Sequence, residues 1–168
     1  MAPNEGEGHY DEAELWRRKW LAVVREKDGS DSVEYARELT SLGSLLLRQK
    51  KHSDAETALR EGLAIILKMQ SGTLARCNAQ SLLGAALIGQ HKYTEAEPIL
   101  TQCYSGLKKL EMEPGHMHSG YRQDLSEVAE LLVSLHDSCG QPDKAEKWRA
   151  ERAKYPPSAA PIPREVKR

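Results

Sequence analysis

The side chains best suited to chemistry are a pair of histidines. His116 and His118 are separated by one residue, and Glu111 and Glu113 lie just before them. Imidazole and carboxylate groups at this spacing can supply two or three ligands to zinc or another divalent ion. The neighbouring Pro114-Gly115 pair is typical of a loop, where histidines are usually solvated. We therefore expect no metal or other cofactor, and weak metal binding through His116 and His118 remains an alternative.

Cysteine chemistry is not favoured either, because a nucleophilic thiol needs a histidine and a carboxylate that converge on it. Cys77, Cys103 and Cys139 are far apart, odd in number and outside any CxxC motif, which favours a reducing, cytoplasmic setting. The sequence contains no P-loop, GxSxG or HExxH motif, and no HRD or DFG motif of a protein kinase. We therefore predict that the chain has no catalytic residues and is not an enzyme.

The composition is that of an ordinary globular domain. The 168 residues are 39% hydrophobic and 29% charged with a net charge of −1, which argues against disorder and against a strongly basic nucleic-acid-binding protein. Phenylalanine is absent and good helix formers predominate, so the sequence predicts an all-α fold. No apolar run approaches the roughly 18 residues that span a bilayer, and the acidic N-terminus is unlike a secretory signal. We expect neither a nucleic-acid nor a membrane partner.

The clearest internal signal is a tetrapeptide that occurs four times. Each copy starts with an oxygen-bearing side chain, has alanine third and ends in glutamate, which is the pattern of a helix-capping box. The alanines recur at intervals of 42, 41 and 49 residues, so the motif marks a repeat. Four helices are predicted to begin at the first residues of these copies, Asp11, Ser53, Thr94 and Asp143.

A second helical pattern precedes the three later copies. Leu42, Leu83 and Leu132 each lie thirteen residues before the alanine of the following tetrapeptide, with further apolar residues at helical spacing around them. Equal spacing across a short polar link predicts the same helical hairpin three times. The predicted elements are a lone helix at 11–27 and hairpins at 32–70, 73–111 and 119–154, with disordered ends at 1–9 and 155–168.

These motifs resemble the tetratricopeptide repeat. The resemblance rests on a Leu-Gly pair in the first helix and an Ala-x-x-x-Leu pair in the second, as in Leu42-Gly43 with Ala55 and Leu59, and Leu83-Gly84 with Ala96 and Leu100. The long period is similar to that of kinesin light chains, and parts of the chain look like repeat regions that follow serine/threonine kinase domains in planctomycete-type bacteria. The resemblance implies an α-α superhelix of about seven helices.

Two positions depart from this pattern, and the first unit is incomplete. In the last hairpin Val133 replaces the glycine and Arg149 stands where an apolar residue is usual, which suits a terminal repeat that faces water. The lone first helix is either a cap of the stack or a sign that the chain is the C-terminal part of a longer protein. Trp16 and Trp20 lie one turn apart on it, and we expect them to pack against the next hairpin.

The resemblance also implies a concave groove lined by the first helix of each hairpin. The candidate groove residues run from basic to acidic along the stack: Arg37, Thr40, Ser44, Arg48, Asn78, Ser81, Ala85, Glu127, Glu130 and Ser134. An equally weighted reading makes them ordinary polar surface. The Lys and Asn pattern of the chaperone-tail carboxylate clamp is missing, since Thr40 and Ser44 stand in the first hairpin, so no tight binding to a C-terminal EEVD sequence is expected.

The sequence therefore predicts a non-catalytic scaffold that binds a protein or peptide in this groove. One alternative is a regulatory C-terminal part of a larger serine/threonine kinase or signalling protein. Another is the weak metal-binding protein described above. Self-association through the N-terminal helix is also open, because half of a hairpin leaves an apolar face without a partner.

Overall fold

The described part of the chain folds into α-helices joined by short turns. The computed structural model describes residues 5–112 and 119–155, and within these ranges it contains seven helices and no strand. The helices are α1 (Glu5–Asp28), α2 (Val33–Arg48), α3 (His52–Lys68), α4 (Thr73–Gly89), α5 (Tyr93–Met112), α6 (Ser119–Ser138) and α7 (Pro142–Ala153). The all-α superhelix of three hairpins and one preceding helix is confirmed.

The helices stack in sequence order. Each hairpin, α2–α3, α4–α5 and α6–α7, has the closest helix contacts, and successive hairpins meet through α3 against α4 and α5 against α6. The first helices of the hairpins also touch one another, α2 with α4 and α4 with α6. Those three helices therefore form one continuous face, while one cluster of buried side chains runs through the stack from Val24 to Tyr155.

Two glycines allow the helices of a hairpin to approach closely. A Cβ atom built on Gly43 would lie 2.4 Å from Leu59 Cγ, and one on Gly84 would lie 2.4 Å from Leu100 Cδ2. Both leucines are completely buried, so neither can move aside. In the last hairpin the equivalent pair is Val133 and Arg149, so the apolar side chain lies on the first helix instead.

The hairpin turns share one backbone conformation. Lys50, His91 and Gly140 occupy the same place in their turns and all have a positive φ, of 59°, 61° and 64°. The N–H of the next residue then donates back to the helix, as in Lys51 N to Leu46 O at 2.9 Å and Lys92 N to Leu87 O at 2.9 Å. This is the Schellman arrangement that closes a helix C-terminus. The turn geometry is therefore repeated even though only one copy has glycine.

The capping-box prediction is wrong. Helices α3, α5 and α7 begin one residue before Ser53, Thr94 and Asp143, and α1 begins well before Asp11. Lys51 and Gln141 are the N-cap residues of α3 and α7, and neither makes a side-chain capping bond. The tetrapeptides lie inside the first turns of these helices or, in α1, further along. Their glutamates instead connect neighbouring repeat units, where a unit is α1 or one of the three hairpins.

Three of the glutamates hold the following hairpin by hydrogen bonds and ion pairs. Glu14 accepts from Lys51 Nζ at 2.7 Å, and Glu56 accepts from Lys92 Nζ at 2.7 Å and from Gln90 Nε2 at 2.8 Å. Glu97 lies 3.3 Å from Lys144 Nζ in the last unit. A glutamate on the second helix of one unit thus contacts the turn, or the helix after the turn, of the next unit.

These contacts lower the pKa of two of the carboxyl groups. Hydrogen bonds from Lys51, Arg18 and Gln49 hold the pKa of Glu14 at about 2. Burial alone would raise the pKa of Glu56, but the hydrogen bonds from Lys92, Arg60 and Gln90 outweigh it and lower that pKa to about 2 as well. Both side chains are only 13% exposed. The ionised forms therefore stabilise the stack.

The ends of the repeat domain also differ from prediction. Helix α1 begins at Glu5, so the expectation of disorder is wrong for residues 5–9. Tyr155, predicted as the start of a disordered tail, is 4% exposed and its hydroxyl bonds Lys108 Nζ at 2.6 Å and Glu111 Oε2 at 2.9 Å. The rest of the predicted disorder, at 1–4 and 156–168, lies outside the described residues.

Adding a methyl group at the helix contact tests the glycine–leucine pairing. Gly84→Ala should destabilise the fold by about 1–3 kcal/mol, because the new Cβ overlaps Leu100. Leu100→Ala should cost about 2–5 kcal/mol by leaving a cavity. The double variant should lose about 1–2 kcal/mol less unfolding free energy than the sum of the two single variants. The reason is that the new methyl group at residue 84 fills part of the cavity left at residue 100. Guanidinium unfolding measures all three, and strict additivity would contradict the pairing.

Removing the charge at Glu56 tests the contacts between units. The pKa of Glu56 is about 2 in the folded chain against 4.5 without its partners, so its contribution is present above pH 4.5 and disappears as the pH falls towards 2. Glu56→Gln should therefore cost about 1 kcal/mol at pH 7 and very little near pH 2. Urea unfolding at both pH values provides the measurement. Glu95→Gln is the matched control, because Glu95 also bonds Arg60 but is 52% exposed; an equal loss in both variants would argue against the proposed role of Glu56.

Candidate binding groove

The continuous face of α2, α4 and α6 contains three connected cavities. The first cavity, about 470 Å³, is lined by Ala13, Arg17, Thr40, Ser41, Ser44, Leu45, Arg48, Asn78 and Leu82. The second cavity, about 330 Å³, is lined by Leu74, Ala75, Cys77, Asn78, Ser81, Cys103, Leu107, Asp124, Glu127 and Val128. The central cavity, about 200 Å³, is lined by Val33, Arg37, Thr40, Ser41, Ile66, Ser71, Ala75 and Asn78. Because Asn78 lines all three, they form one groove.

The groove is divided by charge. Arg17 and Arg48 line the first cavity, which has no acidic residue in its wall. Arg17 is bound to Glu38 at 3.0 Å, whereas Arg48 makes no ion pair within residues 5–112 and 119–155. Asp124 and Glu127 line the second cavity, which has no basic residue in its wall. A ligand lying along the groove would thus meet positive charge at one end and negative charge at the other.

The charge of the second cavity depends on two neighbouring carboxyl groups. Burial, and to a smaller extent the nearby Glu127, raise the pKa of Asp124 above its ordinary value. Glu127 accepts a hydrogen bond from Gln123 Nε2 at 2.9 Å, one helical turn away. A basic side chain placed between Asp124 and Glu127 would relieve their repulsion, so this end of the groove favours a cation.

Asn78 lies at the centre of the groove, and its side-chain amide makes no hydrogen bond to any described residue. Thr40 donates its hydroxyl to Ala36 O at 2.9 Å, and Ser81 donates to Asn78 O at 3.0 Å, so these two hydroxyls are already used by the backbone. The Asn78 amide group is exposed and makes no hydrogen bond within the described ranges. A side-chain amide both donates and accepts, which suits it to pair with the backbone of an extended peptide.

Seven of the ten predicted groove residues line these cavities and three do not. Those that do are Arg37, Thr40, Ser44, Arg48, Asn78, Ser81 and Glu127. Glu130 is instead paired with Arg152 of α7, and Ser134 is exposed outside all three cavities. Ala85 is also absent from the lining. The predicted set is thus spatially continuous over α2, α4 and the first half of α6, and its role in binding remains a prediction.

Sequence reasoning missed two of the charged groove residues. Arg17 lies one period of 42 residues before Leu59, so an arginine stands where the first two hairpins have the buried leucine of the second helix. That mismatch was a readable signal. Asp124 lies about one turn before Glu127, and nothing in the local pattern separates it from ordinary helix surface.

The outer face of α1 contradicts the prediction for its tryptophans. Trp16 is 64% exposed and Trp20 is 54% exposed, so neither packs against the next hairpin. Leu15 and Val23 are exposed beside them, and Lys19 Nζ lies 5.2 Å from the centre of the Trp16 ring. The orientation of α1 about its own axis explains this exposure. Helix α1 contacts α2 through Leu21 and Val24, and the tryptophans lie on another side of α1.

The candidate metal and catalytic residues form no site in the described part of the chain. His116 and His118 lie outside the described residues. Within residues 5–112 and 119–155 there is no group of three or more histidine, cysteine, aspartate or glutamate side chains that could hold a metal ion. Cys103 is completely buried, as predicted, and His136 is buried with Nδ1 3.2 Å from Gln141 Oε1. No helix in the same ranges is both long and apolar enough to cross a bilayer.

The architecture is that of a tetratricopeptide-like helical repeat protein. The solved structure of BtubC (BKLC) from P. vanneervenii, a kinesin light chain-like protein of this type, superposes with a TM-score of 0.71 at 19% sequence identity. The superposition covers 96% of this chain and 63% of BtubC, so this chain spans less than two thirds of that protein's length. At this identity the likeness shows the fold alone.

Comparison by sequence adds nothing to that likeness. No protein-family model matches the chain, and no curated protein matches it. The similarity to repeat regions of planctomycete-type kinases, suggested by parts of the sequence, has no support in these comparisons.

Proposed function

We propose that the protein is a non-catalytic scaffold that binds an extended peptide in the groove of α2, α4 and α6. The observation that supports this most strongly is the division of one continuous groove into a basic first cavity and an acidic second cavity. A groove with opposite charges at its two ends selects a ligand by the order of its charges as well as by its composition.

The proposed ligand is a peptide with an acidic segment and a basic segment. The acidic segment lies over Arg48 and Arg17, and Arg48 has no ion pair to displace within residues 5–112 and 119–155. The basic segment lies over Asp124 and Glu127. Between the two segments, the Asn78 side-chain amide forms hydrogen bonds with the peptide backbone. Such bonds do not depend on the peptide sequence, so specificity comes from the two charged ends of the groove.

The charge order can be tested with synthetic peptides of about 12 residues, measured by fluorescence anisotropy. A peptide with an acidic half and a basic half should bind at least about ten-fold more tightly than peptides carrying only one kind of charge, which corresponds to about 1.4 kcal/mol. Arg48→Glu should weaken binding of the two-charge peptide about ten-fold or more. Lys109→Glu makes the same charge change on exposed surface outside the three cavities and should have little effect.

Two results would contradict this proposal. One is equal affinity for all the peptides, and the other is an equal loss in Arg48→Glu and Lys109→Glu. A peptide ending in EEVD serves as a further arm, because it offers only negative charge. We expect it to bind weakly, and micromolar affinity would show that the first cavity acts as a carboxylate clamp after all.

A second role, self-association through the outer face of α1, is favoured by the distribution of exposed apolar side chains. The described residues of α7, at the other end of the stack, include no large exposed apolar side chain. Helix α1 has five of them: Tyr10, Leu15, Trp16, Trp20 and Val23. The α1 end of one copy can therefore not pair with the α7 end of another copy through apolar contact. The same face on a second copy is self-complementary, as two-fold dimers require.

In the first hairpin, α2 packs closely against α3. The side chains of α1 disfavour the packing of another helix against α1 in that same way. Trp20 lies one period before Gly62, and a Cβ on Gly62 would already lie 3.2 Å from Ala36 O of α2. An indole at that place leaves no room for the same close approach. A second α1, crossing at a wider distance between the tryptophans, is the occupant that we propose.

Sedimentation velocity at increasing concentration tests this second role. The native chain should form dimers, and Trp16→Glu combined with Val23→Lys should remain monomeric because it places charge in the proposed contact. Leu67→Glu is the control, since Leu67 is 53% exposed on α3 and outside this face. A monomeric native chain, or a dimer that the double variant leaves intact, would rule out pairing through α1.

A further inference from the structure

Two cysteines face each other across the contact between the helices of the second hairpin. Cys77 on α4 and Cys103 on α5 lie one period of 41 residues after Ala36 and Gly62. In the first hairpin that place is so tight that a Cβ on Gly62 would contact Ala36 O at 3.2 Å. The second hairpin has a thiol on each helix at the same crossing.

The contacts between the two cysteines are reciprocal. Cys77 Sγ donates to Cys103 O at 3.4 Å, and Cys103 Sγ donates to Cys77 O at 3.4 Å. Each thiol thus reaches the backbone of the other residue. Such a pair has closely spaced backbones, and short Cα–Cα and Cβ–Cβ separations are what a disulfide requires.

The pair is buried but is accessible from the groove. Cys77 is 3% exposed and Cys103 is completely buried, yet both line the second cavity, which is about 330 Å³ in volume. A cavity of this size admits a molecule as small as hydrogen peroxide. Packing alone does not require thiols here, because alanine and glycine fill the equivalent place in the first hairpin.

We propose that Cys77 and Cys103 are a dithiol that hydrogen peroxide converts reversibly into a disulfide joining α4 to α5. The Cys77 thiolate attacks one peroxide oxygen and breaks the O–O bond, which gives a sulfenic acid and, after protonation, one water. The Cys103 sulfur then attacks the sulfenic sulfur and loses its proton, and the S–O bond breaks to release a second water. In total two thiols are oxidised and one peroxide is reduced to two waters.

The environments of the two thiols support this order of events. The hydrogen bond from Cys103 lowers the pKa of Cys77, so Cys77 is the thiol that more readily becomes a thiolate. The hydrogen bond to Cys77 and burial both raise the pKa of Cys103, so Cys103 stays protonated while Cys77 attacks the peroxide first. Cys139 is a free cysteine of intermediate burial on the last hairpin, away from this crossing, and has no part in the reaction.

Oxidation of the intact native chain, followed by mass spectrometry, tests the proposal. The chain is treated with stoichiometric hydrogen peroxide, unfolded, and reacted with N-ethylmaleimide to label the remaining thiols. We expect one label, on Cys139, and a loss of two hydrogens. Trypsin cleaves after Arg76, Lys92 and Lys108, so the disulfide should join peptides 77–92 and 93–108. Dithiothreitol should restore three labelled cysteines.

Two controls separate native geometry from general thiol reactivity. The same oxidation in guanidinium should give a mixture that includes pairs with Cys139, whereas the folded chain should give the Cys77–Cys103 pair alone. Cys77→Ala, which copies Ala36 of the first hairpin, should form no intramolecular disulfide. Three labelled cysteines after oxidation of the folded chain, a mixture of pairs like the unfolded one, or disulfides between chains would each overturn the proposal. The test does not depend on peptide binding in the groove.

Discussion

The close approach of the two helices within each hairpin determines the rest of the structure. In the first two hairpins a buried leucine occupies the space that a Cβ on the facing glycine would fill, as Leu100 does at Gly84. The third hairpin has Val133 and Arg149 at these places, so the large apolar residue moves from the second helix to the first. The same packing is repeated from hairpin to hairpin, and the first helices of the hairpins contact one another to form the face on which the groove lies. The same constraint places Cys77 and Cys103 in contact.

A second constraint joins one unit to the next. Glu14 and Glu56 each hold the turn of the following hairpin, and their low pKa values show that the ionised carboxylate is the form that the fold stabilises. These contacts involve turns whose backbone has a positive φ at Lys50 and His91, so turn geometry and ion pairing support each other. Stability in such an array is approximately a sum over units and their interfaces. The groove depends on these interfaces, because each of its cavities includes residues from more than one unit.

Repetition makes most of the fold predictable. Three hairpins can be recognised from the amino-acid sequence alone, since the spacing between Leu42 and Ala55 recurs between Leu83 and Ala96. The capping boxes mislead because the same Asp/Ser-x-Ala-Glu pattern suits both a helix start and a contact between units. Which of the two applies depends on where Lys51 and Lys92 lie in space, and local sequence does not contain that information.

The groove is predictable to the extent that helical periodicity determines which side chains share a face. Once the tetratricopeptide resemblance implies a groove, helical spacing places Arg37, Asn78 and Glu127 on it. Arg17 comes from α1, whose rotation about its axis depends on contacts with α2. The same rotation exposes Trp16 and Trp20, which periodicity alone assigns to the core. Glu130 does not line the cavities and is paired with Arg152 of α7, a contact that helical spacing on α6 does not reveal.

The most direct test of the central claim is a ¹H–¹⁵N correlation spectrum of the labelled chain, recorded with and without the peptide that has an acidic and a basic half. We expect the side-chain amide signals of Asn78 and the backbone signals of Thr40, Ser81 and Glu127 to shift, while signals from the exposed side of α5, such as Lys109, stay in place. Shifts confined to α1, or spread evenly over both faces of the stack, would contradict peptide binding in the groove.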